Sequence, residues 1–330
     1  MDHMKTILLA GLLLPVLAQA AESIEGVAVG GIVLNNTDRI SLKKQVLNIS
    51  RAAVTSDLEL LNDSATPLEE TITFPLPEYT VGKQAANTYY GEPVGLRITV
   101  DGQPAPFKTV LVARVNHVDV TPQLRKLGLT DAQIAYNPTF GVELAYNPLT
   151  PAQQDQLAKL KLWTKDASGV AGPAWTVQPT YAWKQKFPVK QVVRIQYAYR
   201  PFVTTGANSG PSQSDFTSKY CADKAFTSAW KRAKSKAGKD TLEGSHVHYL
   251  LKNGNAFRNG IEDFTLNVGK LDASELLTLC FPGDVRRPQA KTFQFRQTNF
   301  KPKQDLDIYF GNLGPTTVKS SGGVMPTLNR

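Results

Sequence analysis

Between Gly26 and Val100 apolar and polar residues alternate with a period of two, in short runs separated by turn-forming residues. That is the periodicity of strands with one buried face. Ile40-Ser41-Leu42 and the run from Val46 to Ser50 follow the turn Asn35-Asn36-Thr37-Asp38, and Val54 to Leu61 ends in the turn cluster Asn62-Asp63-Ser64. Leu68 to Phe74 is stopped by Pro75-Leu76-Pro77, because proline removes a donor from the sheet ladder. Leu96 to Val100 meets Asp101-Gly102, a strong hairpin signal, ahead of the run Phe107 to Val115. Short strands at this spacing predict an antiparallel, sandwich-like unit over residues 21–115.

Past residue 115 the period lengthens. Thr121-Pro122 pairs a capping residue with proline at the start of a helix, and Thr130 with Gln133 and Thr150 with Gln153 each fit a capping box. Residues 116–172 therefore read as a helical insertion. The tetrapeptide Ala-Tyr-Asn-Pro occurs at 135–138 and 145–148, too few copies for a repeat architecture. Strands resume at Trp175 to Phe187 and Val192 to Val203, expected to pair as a hairpin across Pro188-Val189-Lys190-Gln191. A Gly/Ser/Pro/Asn loop then opens one helix over 215–237, ended by Gly238, with Phe216, Tyr220, Phe226, Trp230 and Ala233 as its apolar stripe. Five further strands follow, at His246–Leu251, Phe264–Val268, Leu276–Phe281, Phe293–Arg296 and Leu306–Phe310, before a loose tail from Thr316. The predicted fold class is mainly β, with antiparallel β-sandwich-like units, helical insertions and a C-terminal β unit over 173–330.

The first twenty residues read as an export signal. A positive start at Met4-Lys5, an apolar stretch from Ile7 to Leu17 and the small-x-small pattern Ala18-Gln19-Ala20 predict cleavage before Ala21 and a periplasmic or secreted protein. The apolar stretch falls short of the roughly 20 residues a membrane helix needs, so no transmembrane segment is expected after signal removal. In such an oxidising location Cys221 and Cys280, the two cysteines, are expected to form a disulfide.

The net charge of +9 is uneven: residues 1–170 carry 14 Lys/Arg against 17 Asp/Glu, whereas residues 171–330 carry 23 against 11. For an exported chain, the partner implied by the basic half is an anionic envelope polymer, lipid head groups or an acidic envelope protein rather than nucleic acid. Within it, Lys231, Arg232, Lys234 and Lys236 form the exposed basic side of the 215–237 helix. A cationic face that is merely solvated is the alternative. Tyr181 and Trp183 share one strand face and Tyr197 and Tyr199 another. They serve either as a stacking platform for a sugar ring or, more commonly, as sheet core.

Catalytic patterns are thin. His246-Val247-His248 projects two imidazoles onto one strand face, but a metal site needs a third ligand, which His117, Asp263 or Asp240 would have to supply. Ordinary strand histidines are the simpler reading, and neither metal nor cofactor is expected. The carboxylates in Glu69-Glu70 and Glu262-Asp263 point to opposite strand faces and make no dyad. Gly206 to Gly210 lacks the spacing of a nucleophile elbow, and no phosphate-binding glycine loop is present.

Several phrases in order resemble a known family, the secreted bacterial proteins catalogued as domain of unknown function 4424. They are Gly30-Gly31-Ile32-Val33-Leu34 with Asp38 and Ile40-Ser41; Leu58 to Ser64 leading into Phe74-Pro75-Leu76-Pro77; Tyr181-Ala182-Trp183 with Phe187-Pro188; Tyr197 to Pro201; Tyr220-Cys221; and Cys280-Phe281-Pro282-Gly283. The resemblance spans almost the whole mature length. It implies an exported, β-rich protein and brings no catalytic residues. The reading that results is a non-catalytic envelope binding or scaffold module. Its alternatives are a hydrolase whose carboxylates converge only in the fold and a structural or adhesive subunit acting by strand addition.

Overall fold

The computed structural model describes residues 29–34, 38–81, 95–135, 149–165, 169–201, 203–252 and 257–313. The leader, Asn35-Asn36-Thr37, nearly all of the two Ala-Tyr-Asn-Pro copies, Phe202 and the tail from Thr316 lie outside the described residues. The fold is mainly β, and the described residues form three sheets and a separate two-stranded ribbon of Trp163–Lys165 with Ala171–Pro173.

The largest sheet has eight strands in the order Arg286–Gln289, Thr292–Phe300, Ile261–Gly269, Ile40–Ile49, Val54–Asn62, Val192–Tyr199, Arg97–Val100 and Gln103–Pro104. Strand Val54–Asn62 alternates buried and half-buried positions along its length, the period its sequence carries. Asp101-Gly102, both at positive φ, turns the chain from Arg97–Val100 into Gln103–Pro104. At the centre, Ile40–Ile49 runs parallel to Ile261–Gly269, so segments from both ends of the chain share one sheet.

The six-stranded sheet runs Val118–Asp119, Lys108–Val115, Thr176–Phe187, Leu68–Pro75 and Val33–Leu34, with Tyr79–Thr80 also paired to Thr176–Phe187. The expected hairpin of Thr176–Phe187 with Val192–Tyr199 does not form: the first strand belongs to the six-stranded sheet and the second to the eight-stranded one. Each strand has one apolar face, and the two faces meet across the sandwich rather than side by side. The chain crosses at the same corner twice, between Asn62 and Leu68 and between Phe187 and Val192. Buried Asn62 holds the two crossings together, its amide donating to the carbonyls of Thr66 and Phe187 at 2.9 Å each. Across the interior Phe74 meets Tyr197 and Tyr199 edge-on at 5.6 and 5.5 Å.

Among the described residues of the middle insertion there are three short helices: α1 (Thr121–Lys126), α2 (Asp131–Ile134) and α3 (Pro151–Lys159). Both capping boxes form, Thr130 with Gln133 and Thr150 with Gln153. The hydroxyl of Thr121 does not cap α1; it accepts from the backbone N–H of Ala113 at 2.8 Å, tying the helix to the adjoining sheet. These helices bury Leu124, Ile134 and Leu157 against Leu111, Trp175 and Val177.

The third sheet pairs Leu242–Leu250 with Leu306–Gly311, which in turn pairs with Leu276–Leu279; Thr204–Asn208 and Val29–Gly30 also lie on Leu242–Leu250. One face, with Val247, Tyr249 and Ile308, joins the main core. The other is covered by α4 (Phe216–Tyr220) and α5 (Lys224–Ala237). The single helix expected over 215–237 is thus two, because Cys221 takes a left-handed conformation at φ 49° and Asp223 starts a new helix by accepting from the N–H of Phe226. Gly238 ends α5 in the left-handed region.

Cys221 is joined to Cys280, 59 residues further on. Closing a loop of that length restricts the unfolded chain, with a stabilisation of about 2–4 kcal/mol. Reduction, or the double replacement of Cys221 and Cys280 by alanine, is expected to lower the unfolding free energy measured in urea by that amount without changing the native far-ultraviolet spectrum. A shift under about 0.5 kcal/mol would show that the bridge does not constrain the unfolded chain.

Candidate functional site

Helix α5 carries two faces made by its 3.6-residue period. Phe226 and Trp230 are buried against the sheet, while Lys231, Arg232 and Lys236 are exposed and Lys234 is half-buried. Among the described residues none of these four cations has an ion-pair partner. Lys231 and Lys234 are three apart and Arg232 and Lys236 four apart, so like charges neighbour one another on the helix surface. Each such pair costs a helix about 0.2–0.5 kcal/mol, a repulsion that a bound anion relieves. The last-turn cations Lys234 and Lys236 also lie at the negative end of the helix dipole.

The same sheet face holds a second cluster. His246 and His248, two apart on Leu242–Leu250, point to the side covered by the helices. Strand register places Asp307 directly opposite His248 and Tyr309 opposite His246. The sequence pattern named Asp263, Asp240 or His117 as a third ligand, and the fold supplies Asp307 instead. Asp263 is exposed in the eight-stranded sheet between Lys44 and Thr298, Asp240 is exposed beyond α5, and His117 is exposed in a turn at φ 67°. Asp307 was legible only as a lone charge in the apolar run Leu306 to Phe310; pairing that run with His246–Leu251 would have found it.

Asp307 Oδ1 accepts from His246 Nε2 and from His248 Nδ1, each at 2.8 Å. Burial opposes ionisation of Asp307, but the two imidazole hydrogen bonds and their charge outweigh it and hold the carboxyl well below the usual carboxylate range. The Tyr220 ring packs edge-on against His246 with centroids 5.5 Å apart. Beyond Tyr220 the helical cover stops, and His248 and Asp307 border a cleft of about 360 Å³ lined also by Lys219, Lys252, Lys303 and Asp305. Lys252 pairs with Asp305 at 3.2 Å.

The aromatic platform is not on the surface. Tyr181, Trp183, Tyr197 and Tyr199 are 1%, 7%, 0% and 1% exposed, so they fill the core and present no face for a sugar to stack on. Tyr197 donates to or accepts from Tyr249 at 2.8 Å, and burial raises the phenol pKa of both. The adjacent carboxylates also fall apart as expected for strands: Glu69 pairs with Lys184 at 3.3 Å, and Glu262 pairs with Lys43.

Residues 20–309 match the family described as Domain of unknown function (DUF4424). The chain belongs to that family. In this DUF4424 protein two of the phrases that carried the resemblance, Tyr220-Cys221 and Cys280-Phe281-Pro282-Gly283, meet at the disulfide beside the cleft. No curated protein matches the chain. Among solved structures, a Legionella pneumophila protein provisionally described as nutrient binding aligns over 86% of this chain and 71% of its own, at 12% identity and a TM-score of 0.43. Native yeast LTA4 hydrolase aligns over 86% of this chain and 30% of its own, at 10% identity and 0.27. An M1 zinc metallopeptidase of Deinococcus radiodurans aligns over 82% and 42%, at 10% and 0.24. No helix among the described residues is long and apolar enough to cross a membrane.

Proposed function

We propose that this DUF4424 protein is an exported, non-catalytic binding module that meets an anionic component of the cell envelope through its basic C-terminal half. The observation that carries the reading is the cationic face of α5: Lys231, Arg232, Lys234 and Lys236 crowd one helix without ion-pair partners among the described residues, in the half of the chain with 23 Lys/Arg against 11 Asp/Glu. Export rests on the leader pattern of residues 1–20, with which the Cys221–Cys280 bridge is compatible.

Exposed charges act over about 10 Å at 0.1 M salt. Binding of the protein to anionic envelope polymers is therefore expected at low salt, weakening steeply as salt rises. Reversing Lys231, Arg232, Lys234 and Lys236 to glutamate is expected to weaken it by at least about tenfold, measured by titration on immobilised polymer. Uncharged glycans are the control. No binding at low salt, or binding unaffected by both salt and reversal, overturns the reading.

A further inference from the structure

We propose that His246, His248 and Asp307 form a binding site for a divalent transition-metal ion of the zinc class. The site goes beyond the anion-binding reading and stands without it. Its ligand atoms, one from each residue, all lie within 4.8 Å of one another. Tetrahedral zinc with bonds of about 2.0–2.2 Å needs donors about 3.3–3.6 Å apart, between the 2.8 Å of the imidazole–carboxylate contacts and the 4.8 Å spread of the cluster. Two imidazole nitrogens and one carboxylate are a zinc-type donor set, unlike the all-oxygen sets of calcium and magnesium.

The placement is built into the fold. The i, i+2 spacing of the histidines fixes both on one strand face, and the antiparallel register sets Asp307 across from His248. The Tyr220 ring braces His246 on the covered side. On the other side His248 and Asp307, with side chains 24% and 27% exposed, open onto the cleft, which gives an ion a path in and leaves its fourth position free. Asp307 already accepts from both imidazoles, so the same three side chains converge before an ion enters. The charges facing the site from neighbouring elements are Lys219, Lys252, Lys303 and Asp305. Asp305 neutralises Lys252, and the remaining two lysines lower cation affinity without removing any ligand.

The test is equilibrium dialysis of untagged, chelator-stripped full-length protein against zinc(II), with cobalt(II) as a spectroscopic substitute. One equivalent of zinc and the strong visible bands of tetrahedral cobalt are expected. H248A and D307N, each at a partly exposed position and checked for folding by circular dichroism, are expected to weaken binding at least about 100-fold. H117A, outside the cluster, is expected to bind as wild type does. Absence of stoichiometric zinc binding by the wild-type protein, or binding that survives in either folded cluster variant, overturns the proposal.

Discussion

Replacing Trp230 by alanine is expected to lower the unfolding free energy by about 3–5 kcal/mol, the loss typical of a large aromatic removed from a packed interior. The indole is 2% exposed and lies among Phe216, Phe226 and Tyr309, with centroids 6.3, 6.0 and 6.0 Å away. Its seat exists because two neighbours lack side chains. A Cβ on Gly210 would fall 2.3 Å from Cε2 of the ring, and one on Gly311 would fall 2.4 Å from Cζ3. Gly210 also sits at φ +63°, where a side chain adds backbone strain. The indole N–H has no acceptor among the described residues, so the contribution is packing, and Trp230→Phe is expected to cost less than half as much as Trp230→Ala. Gly311→Ala is expected to destabilise the wild-type protein by about 1–3 kcal/mol and to cost less than half as much in a Trp230→Ala background, where only the Tyr309 ring, 3.1 Å from the added Cβ, still crowds it. Urea unfolding of the four proteins measures this cycle. Additive effects would mean that Trp230 and Gly311 do not share a packing site. Because α5 carries Lys231, Arg232, Lys234 and Lys236, loosening Trp230 is also expected to weaken anionic-polymer binding with every charge in place.

Arg51→Ala is expected to cost about 3–5 kcal/mol, the penalty of stranding a buried charge. Arg51 Nη2 bonds Glu275 Oε1, and the two side chains are 11% and 1% exposed. The other carboxylate oxygen accepts from the backbone N–H of Leu271 at 3.1 Å. Removing the guanidinium leaves the carboxylate out of water with the Leu271 N–H and, as its countercharge, Lys270, whose ammonium donates to the Glu275 carbonyl at 2.9 Å. The pair is imperfect even so, since Arg51 Nε has no acceptor among the described residues. Replacing both partners with apolar residues, Arg51→Met with Glu275→Leu, is therefore expected to recover most of the loss. A single variant within about 1 kcal/mol of wild type would show that Glu275 reaches water when unpaired. The contact joins the turn after Ile40–Ile49 to the loop before Leu276–Leu279, so it measures coupling between distant parts of the chain.

Local structure was legible wherever a rule acts over a few residues. The two capping boxes at Thr130 and Thr150, the hairpin turn at Asp101-Gly102 and the alternation of Val54–Asn62 need only neighbours in sequence, and all appear in the structure. Cys221 and Cys280 could be paired because they are the two cysteines present. The misread hairpin has one cause, which is that the sequence pattern marks an apolar strand face without naming what covers it. The same alternation in Thr176–Phe187 and Val192–Tyr199 suits a hairpin or two facing sheets, and only packing around Phe74 and the corner at Asn62 selects the second. The aromatics fitted a platform as well as the commoner reading, a core, for the same reason.

By itself, then, the sequence determined a mainly β chain of family DUF4424 with a helical insertion, a basic C-terminal half and two histidines on one strand face. The tertiary structure decided what those features meet: Ile40–Ile49 beside Ile261–Gly269, α5 seated on glycines, and Asp307 opposite His248. Alternation and capping depend on residues a few positions apart, whereas strand partners and ligand sets depend on register between segments about 60 to 220 residues apart, which no local pattern encodes.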